Sequence, residues 1–233
     1  MAESINFDSF YGQVRICDDV ASAYKDLVTG YLKDLISTKS STNGTDIRYS
    51  LAVSGGSSGK ACMEALCASD DGLLTNVEWF LVDERCVDKT HPDSNYKLIR
   101  SLLDVNHLES AVLHDMDCQD VESYESLLVG RELDVIQLGF GPDGHCASLF
   151  PSSLALVVTD EKLVAKNSDP SGLNKHERVT LTFAAINKFD LAVICVIGEE
   201  KRDAVRAISL GKQLPAAMIR AKKVIWLIDS RIV

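Results

Sequence analysis

The stretch LDVIQLGFGPDGH, Leu133 to His145, joins an apolar run to a loop that holds three glycines and a proline and ends on a histidine. Near-continuous hydrophobicity is what a strand needs when helices cover both faces of a parallel sheet. Four further runs read the same way: IRYSLAV (47–53), VEWFLVD (77–83), LAVICVIG (191–198) and KKVIWLID (222–229). Between and before them lie helical segments. Val20 to Ile36 carries apolar residues at three- and four-residue spacing, and Gly59 to Ala68, Ser94 to Leu103, Val121 to Leu128 and Glu199 to Ser209 have helical composition. Asp93 or Ser94 offers a cap just before the third of these five. The βα alternation predicts an α/β three-layer sandwich, with a mainly parallel, Rossmann-like central sheet covered by helices on both faces.

Composition narrows the function classes. At 233 residues, with 46% hydrophobic and 25% charged side chains spread evenly and no linker, charge block or repeat, residues 1–233 are expected to form one domain. A formal charge of -10 with no basic stripe argues against nucleic-acid binding. An anionic substrate would have to be held by a few local cations and backbone donors. The longest apolar run, Leu191 to Ile197, is far below a membrane span, and the first residues carry no basic region followed by an apolar one, so no membrane role is expected. Seven scattered cysteines form no CxxC pair; free thiols and a reduced, cytoplasmic location are the expectation. Neither the cysteines nor His91, His107, His114, His145 and His176 show metal-ligand spacing, so no metal is expected.

In open α/β sheets, function gathers at the carboxyl ends of strands. Three such ends carry unusual sequence. Ser54-Gly55-Gly56-Ser57-Ser58-Gly59 leads from a strand into a helix, a geometry whose free backbone N–H groups suit a phosphate, although a tight turn without ligand has the same composition. Its spacing fits neither nucleotide-binding glycine motif. Asp83-Glu84-Arg85 ends the VEWFLVD strand, and strand alternation sends Asp83 and Arg85 to one side, as substrate ligands or as an ordinary ion pair. The glycine-rich loop delivers His145, with Asp143 placed either to orient the imidazole or to cap a helix.

Taken in order, SGGSSGK, WFLVDERCV, HPDSNY, LGFGPDGHCASLFP, ERVTLT and GEEKRDAV closely resemble the 6-phosphogluconolactonase family, from about Leu51 to Ile228. The related glucosamine-6-phosphate deaminases share several of these motifs. They resemble DEY where this chain has Asp83-Glu84-Arg85, and carry a glutamate where it has Phe150.

The resemblance implies hydrolysis of 6-phospho-D-glucono-1,5-lactone without metal or organic cofactor. It implies a phosphate held by Ser54, Gly55 and Gly56 with Arg85, Arg178 and Lys201, substrate hydroxyls near Asp83, and His145 as general base tuned by Asp143. Functional coupling to glucose-6-phosphate dehydrogenase, the source of such a substrate, belongs to the same expectation. The alternatives are a deaminase-like enzyme and a catalytically silent sugar-phosphate-binding protein.

Overall fold

The computed structural model describes residues 5–39, 48–68, 72–159 and 161–233. In chain order the elements are β1 (Gln13–Cys17), α1 (Val20–Lys39), β2 (Tyr49–Val53), α2 (Gly56–Cys67), β3 (Val77–Leu81), β4 (Asp83–Arg85), α3 (Asn95–Val105) and β5 (Val112–Leu113). There follow α4 (Val121–Leu128), β6 (Leu133–Gly139), β7 (Val164–Asn167), β8 (Arg178–Leu181), α5 (Phe183–Ile186), β9 (Phe189–Val196), α6 (Arg202–Ser209) and β10 (Lys223–Asp229). Seven strands form a parallel sheet in the order β1-β10-β9-β6-β2-β3-β5, and helices cover both of its faces. A second, antiparallel sheet in the order β4-β8-β7 lies beside it.

The apolar runs account for the central sheet. β2 and all but the first residue of β10 are buried, and Trp79, Phe80 and Trp226 fill the layers between sheet and helices. α1 turns Tyr24, Val28 and Leu32 inward, one per turn, all without exposed surface. Truncating such a side chain to alanine typically costs about 2–5 kcal/mol. Helix α3 is capped by Ser94, whose hydroxyl accepts from the Lys97 amide, as its sequence position suggests. Ile47, the first residue of the expected IRYSLAV strand, lies outside the described residues.

Two expectations need correction. The run VEWFLVD is not one strand: β3 stops at Leu81, and Asp83 opens β4 in the other sheet. Val82 is the crossing point, since its amide donates to Val53 while its carbonyl accepts from Leu181. Hydrophobicity cannot reveal which sheet a backbone joins. The cysteines are not all free: Cys86 and Cys118 form a disulfide with Cα atoms 5.3 Å apart, while Cys17, Cys62, Cys67, Cys146 and Cys195 remain thiols. The pair is 32 residues apart in sequence and meets only because the chain leaving β4 runs beside the segment that follows β5.

The strand order positions the site. From β2 the chain winds outward through β3 to β5, then returns to β6 on the other side of β2 and winds the opposite way. β2 and β6 therefore flank the point where winding direction reverses, the usual place for a crevice in such sheets. Their direct ladder covers only Leu51 and Ala52 against Val135 and Ile136. Side chains replace it at both ends. Asp134 accepts from the Ser50 amide and hydroxyl, the Ser54 amide donates to Gln137 Oε1, and Ser54 Oγ bridges the Gln137 carbonyl and the Gly139 amide.

Candidate active site

At that reversal point, the loop after β2 and the loop after β6 open a small cleft of about 180 Å³. Every residue given a substrate-binding or catalytic role from the sequence lines it except Asp143, which stands directly behind His145. Ser54, Gly55 and Gly56 form one wall. Gly55 is the cap of α2 and no side chain caps that helix, so its first-turn N–H groups remain for a ligand. Gly55 also has no room for a side chain: a Cβ there would stand 1.8 Å from the Asn95 side-chain Oδ1.

The second wall comes from the antiparallel sheet. In the β4–β8 register Arg85 lies directly opposite Arg178, and Asp83 opposite Thr180. Two like charges paired across a ladder oppose folding. The arrangement is sharper because Arg178 is buried and its Nε and Nη1 have no hydrogen-bond partner among the described residues. Burial pulls its pKa below the usual arginine range and the Arg85 charge adds to this, against the opposing carboxylates of Asp83, Glu84 and Asp93. Arg85 is anchored through Nη1 to the Asp93 carbonyl. Alternation along β4 turns Glu84 away, where it accepts from the amides of Arg85, Asn95 and Tyr96 and the Ser94 hydroxyl. Burial raises the Glu84 carboxyl in spite of these donors. Lys201 enters from the far side, at the end of the short 3-10 turn Glu199–Lys201 and just ahead of α6; it is buried, with Nζ 3.3 Å from Glu200.

His145 completes the cleft. Its loop closes on itself, the Gly141 amide donating to the His145 carbonyl at 2.8 Å and the Gly144 amide to the Gly141 carbonyl at 2.9 Å. A Cβ on Gly141 would fall 2.1 Å from His145 Nδ1, so the close approach requires glycine. Asp143 Oδ1 lies 2.5 Å from His145 Nδ1 and also accepts from the His145 amide. Asp143 therefore orients the ring and is no helix cap. Burial pushes the Asp143 carboxyl upward, but hydrogen bonding and the charge of His145 outweigh it and hold the group below the usual carboxylate range. With the proton on Nδ1, Nε2 is left as the nitrogen that can accept one. Phe150 packs against the ring, centroids 4.9 Å apart, so no carboxylate occupies that position.

Residues without a sequence-based role also line the cleft, among them Asn95, Ser148 and Asn174. Asn95 stands in HPDSNY and Ser148 in the segment after His145, but their contacts are to Asp83, distant in sequence. Among the described residues no group of three His, Cys, Asp or Glu could hold a metal ion. No helix among them is long and apolar enough to cross a membrane.

An opposed arginine pair and an oriented imidazole, facing one small cleft at the reversal point of a parallel sheet, define an α/β protein that can hold a small anion and move a proton beside it. The chain belongs to the family described as glucosamine-6-phosphate isomerases/6-phosphogluconolactonase, whose model matches residues 19–226. It is 34% identical over 202 residues to a 6-phosphogluconolactonase of Synechocystis, covering 78% of this chain and 82% of that protein. It is 29% identical to the rabbit (Oryctolagus cuniculus) GDH/6PGL endoplasmic bifunctional protein over 78% of this chain, but spans only 25% of that longer protein. The crystal structure of 6-phosphogluconolactonase from Thermotoga maritima superposes with a TM-score of 0.74 at 28% identity, covering 93% of this chain and 99% of that one.

Proposed function

We propose that the chain hydrolyses 6-phospho-D-glucono-1,5-lactone to 6-phospho-D-gluconate, the second step of the oxidative pentose phosphate pathway. The observation that carries the reading is the buried, unsatisfied Arg178 set opposite Arg85 at the mouth of an uncapped helix. In a chain of net charge -10, such a concentration of donors is stabilised by a dianion. The phosphate is held by the Ser54–Gly56 loop with Arg85, Arg178 and Lys201, which directs the lactone ring toward Asp83 and His145.

Neutral His145 takes a proton through Nε2 from a water molecule as its oxygen attacks the lactone carbonyl carbon. The resulting tetrahedral oxyanion collapses, the bond from carbon to the ring oxygen breaks, and the imidazolium returns its proton to that oxygen. Asp143 stabilises the imidazolium through Nδ1, and Asp83 accepts hydrogen bonds from sugar hydroxyls. The chemistry requires no covalent intermediate and no cofactor. A deaminase reading is disfavoured by Phe150, which leaves the position beside His145 without a base for carbon.

A relative whose name joins GDH to 6PGL supports functional coupling to glucose-6-phosphate dehydrogenase, the enzyme that would supply the lactone. The deciding experiment sets freshly generated 6-phosphogluconolactone against glucosamine 6-phosphate, each measured over an enzyme-free blank. Rapid turnover of the lactone alone is expected. Turnover of the amino sugar, or binding of 6-phosphogluconate with no lactone hydrolysis, would overturn the reading.

A further inference from the structure

Asn95 begins α3 with a buried side chain, at the edge of the cleft and between two of its walls. Its Nδ2 donates to both the backbone carbonyl of Asp83, at 2.8 Å, and the Asp83 carboxylate Oδ1, at 3.2 Å. The opposite carboxylate oxygen accepts from Ser148 Oγ, whose own backbone is tied to Thr180 and Asn167. Asp83 is thus gripped on both oxygens by neutral donors, each oxygen keeping a lone pair for a further donor.

The other half of the Asn95 amide makes no hydrogen bond. Oδ1 is buried without a partner among the described residues and lies against Gly55, at the spot a Cβ would need. A buried amide with one end unmet is unfavourable by itself, so packing does not account for it. Its donating end does. Asn95 spans the gap between the glycine loop and the carboxylate, and so sets the distance between the two ends of whatever lies across them.

We infer that Asn95 is a positioning residue for the sugar moiety: it holds the Asp83 carboxylate aimed as an acceptor for sugar hydroxyls at a set distance from the phosphate loop. The inference rests on the lactonase reading, in which Asp83 meets the hydroxyls. Binding of the sugar part depends on Asn95, whereas binding of the phosphate and the proton transfers at His145 do not.

Asn95→Asp tests this with little change of shape. Two adjacent carboxylates share a proton, so the variant recovers a donor only on acidification. Around Asp83 and its neighbour Arg178 stand Glu84 and Arg85 on β4, Cys146 and His145 on the loop after β6, and Asp93 ahead of α3, with Lys201 lining the same cleft. These groups and the substrate phosphate are common to wild type and variant, so a ratio taken at each pH reads mainly the exchanged side chain. The ratio of variant to wild-type KM for the lactone should reach about ten at pH 8 and fall toward one near pH 5.5. The kcat ratio and competitive inhibition by inorganic phosphate should stay near wild type at both. Asn95→Ala should raise KM at both pH values without the slope.

A folded Asn95→Asp protein with wild-type KM throughout, or with a pH-independent loss of kcat, would overturn the inference. Should that variant not fold, Ser148→Ala removes the other donor and should raise KM for the lactone with phosphate inhibition unchanged; an unaltered KM there would overturn it equally. Inactivity of the wild type on the lactone would instead remove the functional reading beneath it.

Discussion

Two histidines of this protein sit 2.5 Å from a carboxylate, and they occupy opposite ends of the parallel sheet. His145 and Asp143 lie on the loop leaving the carboxyl end of β6. His114 lies just beyond edge strand β5, against Glu78 near the amino end of β3, and Arg131, just before β6, shares the same Glu78 oxygen. The His114 ring stacks on Phe80 with centroids 4.6 Å apart, and the Arg131 guanidinium lies over that ring at 5.8 Å. There the carboxylate meets a histidine and an arginine together and ties edge strand β5 to β3 and the start of β6. At His145 the carboxylate holds one nitrogen, and the other belongs to a cleft in which the buried Arg178 keeps Nε and Nη1 without a partner among the described residues. The contact is the same; the surroundings set the latch at Glu78 apart from the cleft-lining imidazole, and the proposed role of His145 rests on that difference.

The largest expected effect tests that separation directly. His145→Ala should lower kcat by roughly 10²–10⁴ while the product 6-phosphogluconate still binds, because the phosphate donors are untouched. His114→Ala should leave kcat near wild type and instead lower the unfolding midpoint. Rates measured over the spontaneous hydrolysis of the lactone, with circular dichroism as the check on folding, decide the matter. A folded His145→Ala protein with near-normal kcat would place the base elsewhere, with Asp83 the next candidate.

The arginines extend the comparison. Arg178 is buried with Nε and Nη1 unpaired, whereas Arg131 already has its carboxylate. Arg178→Ala should reduce kcat/KM by an amount on the order of 2–4 kcal/mol, mainly through KM, with Arg85→Ala and Lys201→Ala in the same direction. Arg131→Ala should leave kcat/KM unchanged. Equal kinetics in the Arg178 and Arg131 variants would show that the unpaired guanidinium does not meet substrate.

How much of this was readable from sequence differs between the two ends of the sheet. The carboxyl end was legible because its loops announce themselves: SGGSSG and GFGPDGH need glycine where backbone meets side chain, as at Gly55 and Gly141. The sandwich was legible because β2, β6, β9 and β10 are rich in apolar residues and buried nearly throughout. Hidden from sequence were contacts made by folding distant segments together. The break at Val82, the Arg85–Arg178 register, the Cys86–Cys118 bridge and the Asn95–Asp83 contact all belong to that class. So does the edge strand β1, whose partly exposed residues carry no buried-strand signal and which is placed by pairing with β10. The latch at Glu78 was equally silent, since Glu78, His114 and Arg131 share no local motif.

The smallest effect concerns that latch and its response to acid. Burial pushes the Glu78 carboxyl upward, but the hydrogen bonds from His114 and Arg131 outweigh it and hold its pKa below the ordinary 4.5. A carboxylate whose folded pKa is depressed contributes its full stabilisation above the unfolded value and loses it as pH falls through the folded one. Glu78→Gln keeps the shape and removes the titration. With the Arg131 side chain 40% exposed and its charge screened by solvent, the difference in unfolding free energy at pH 7 should be only about 1 kcal/mol. It should shrink as pH falls below about 4.5, while kcat at neutral pH stays at the wild-type level. Urea unfolding of both proteins at pH 7 and pH 3.5 reads this directly. A stability gap of equal size at both pH values would mean that Glu78 acts through packing on Phe80 and its neighbours rather than through its charge, and the contrast with Asp143 would then rest on kinetics alone.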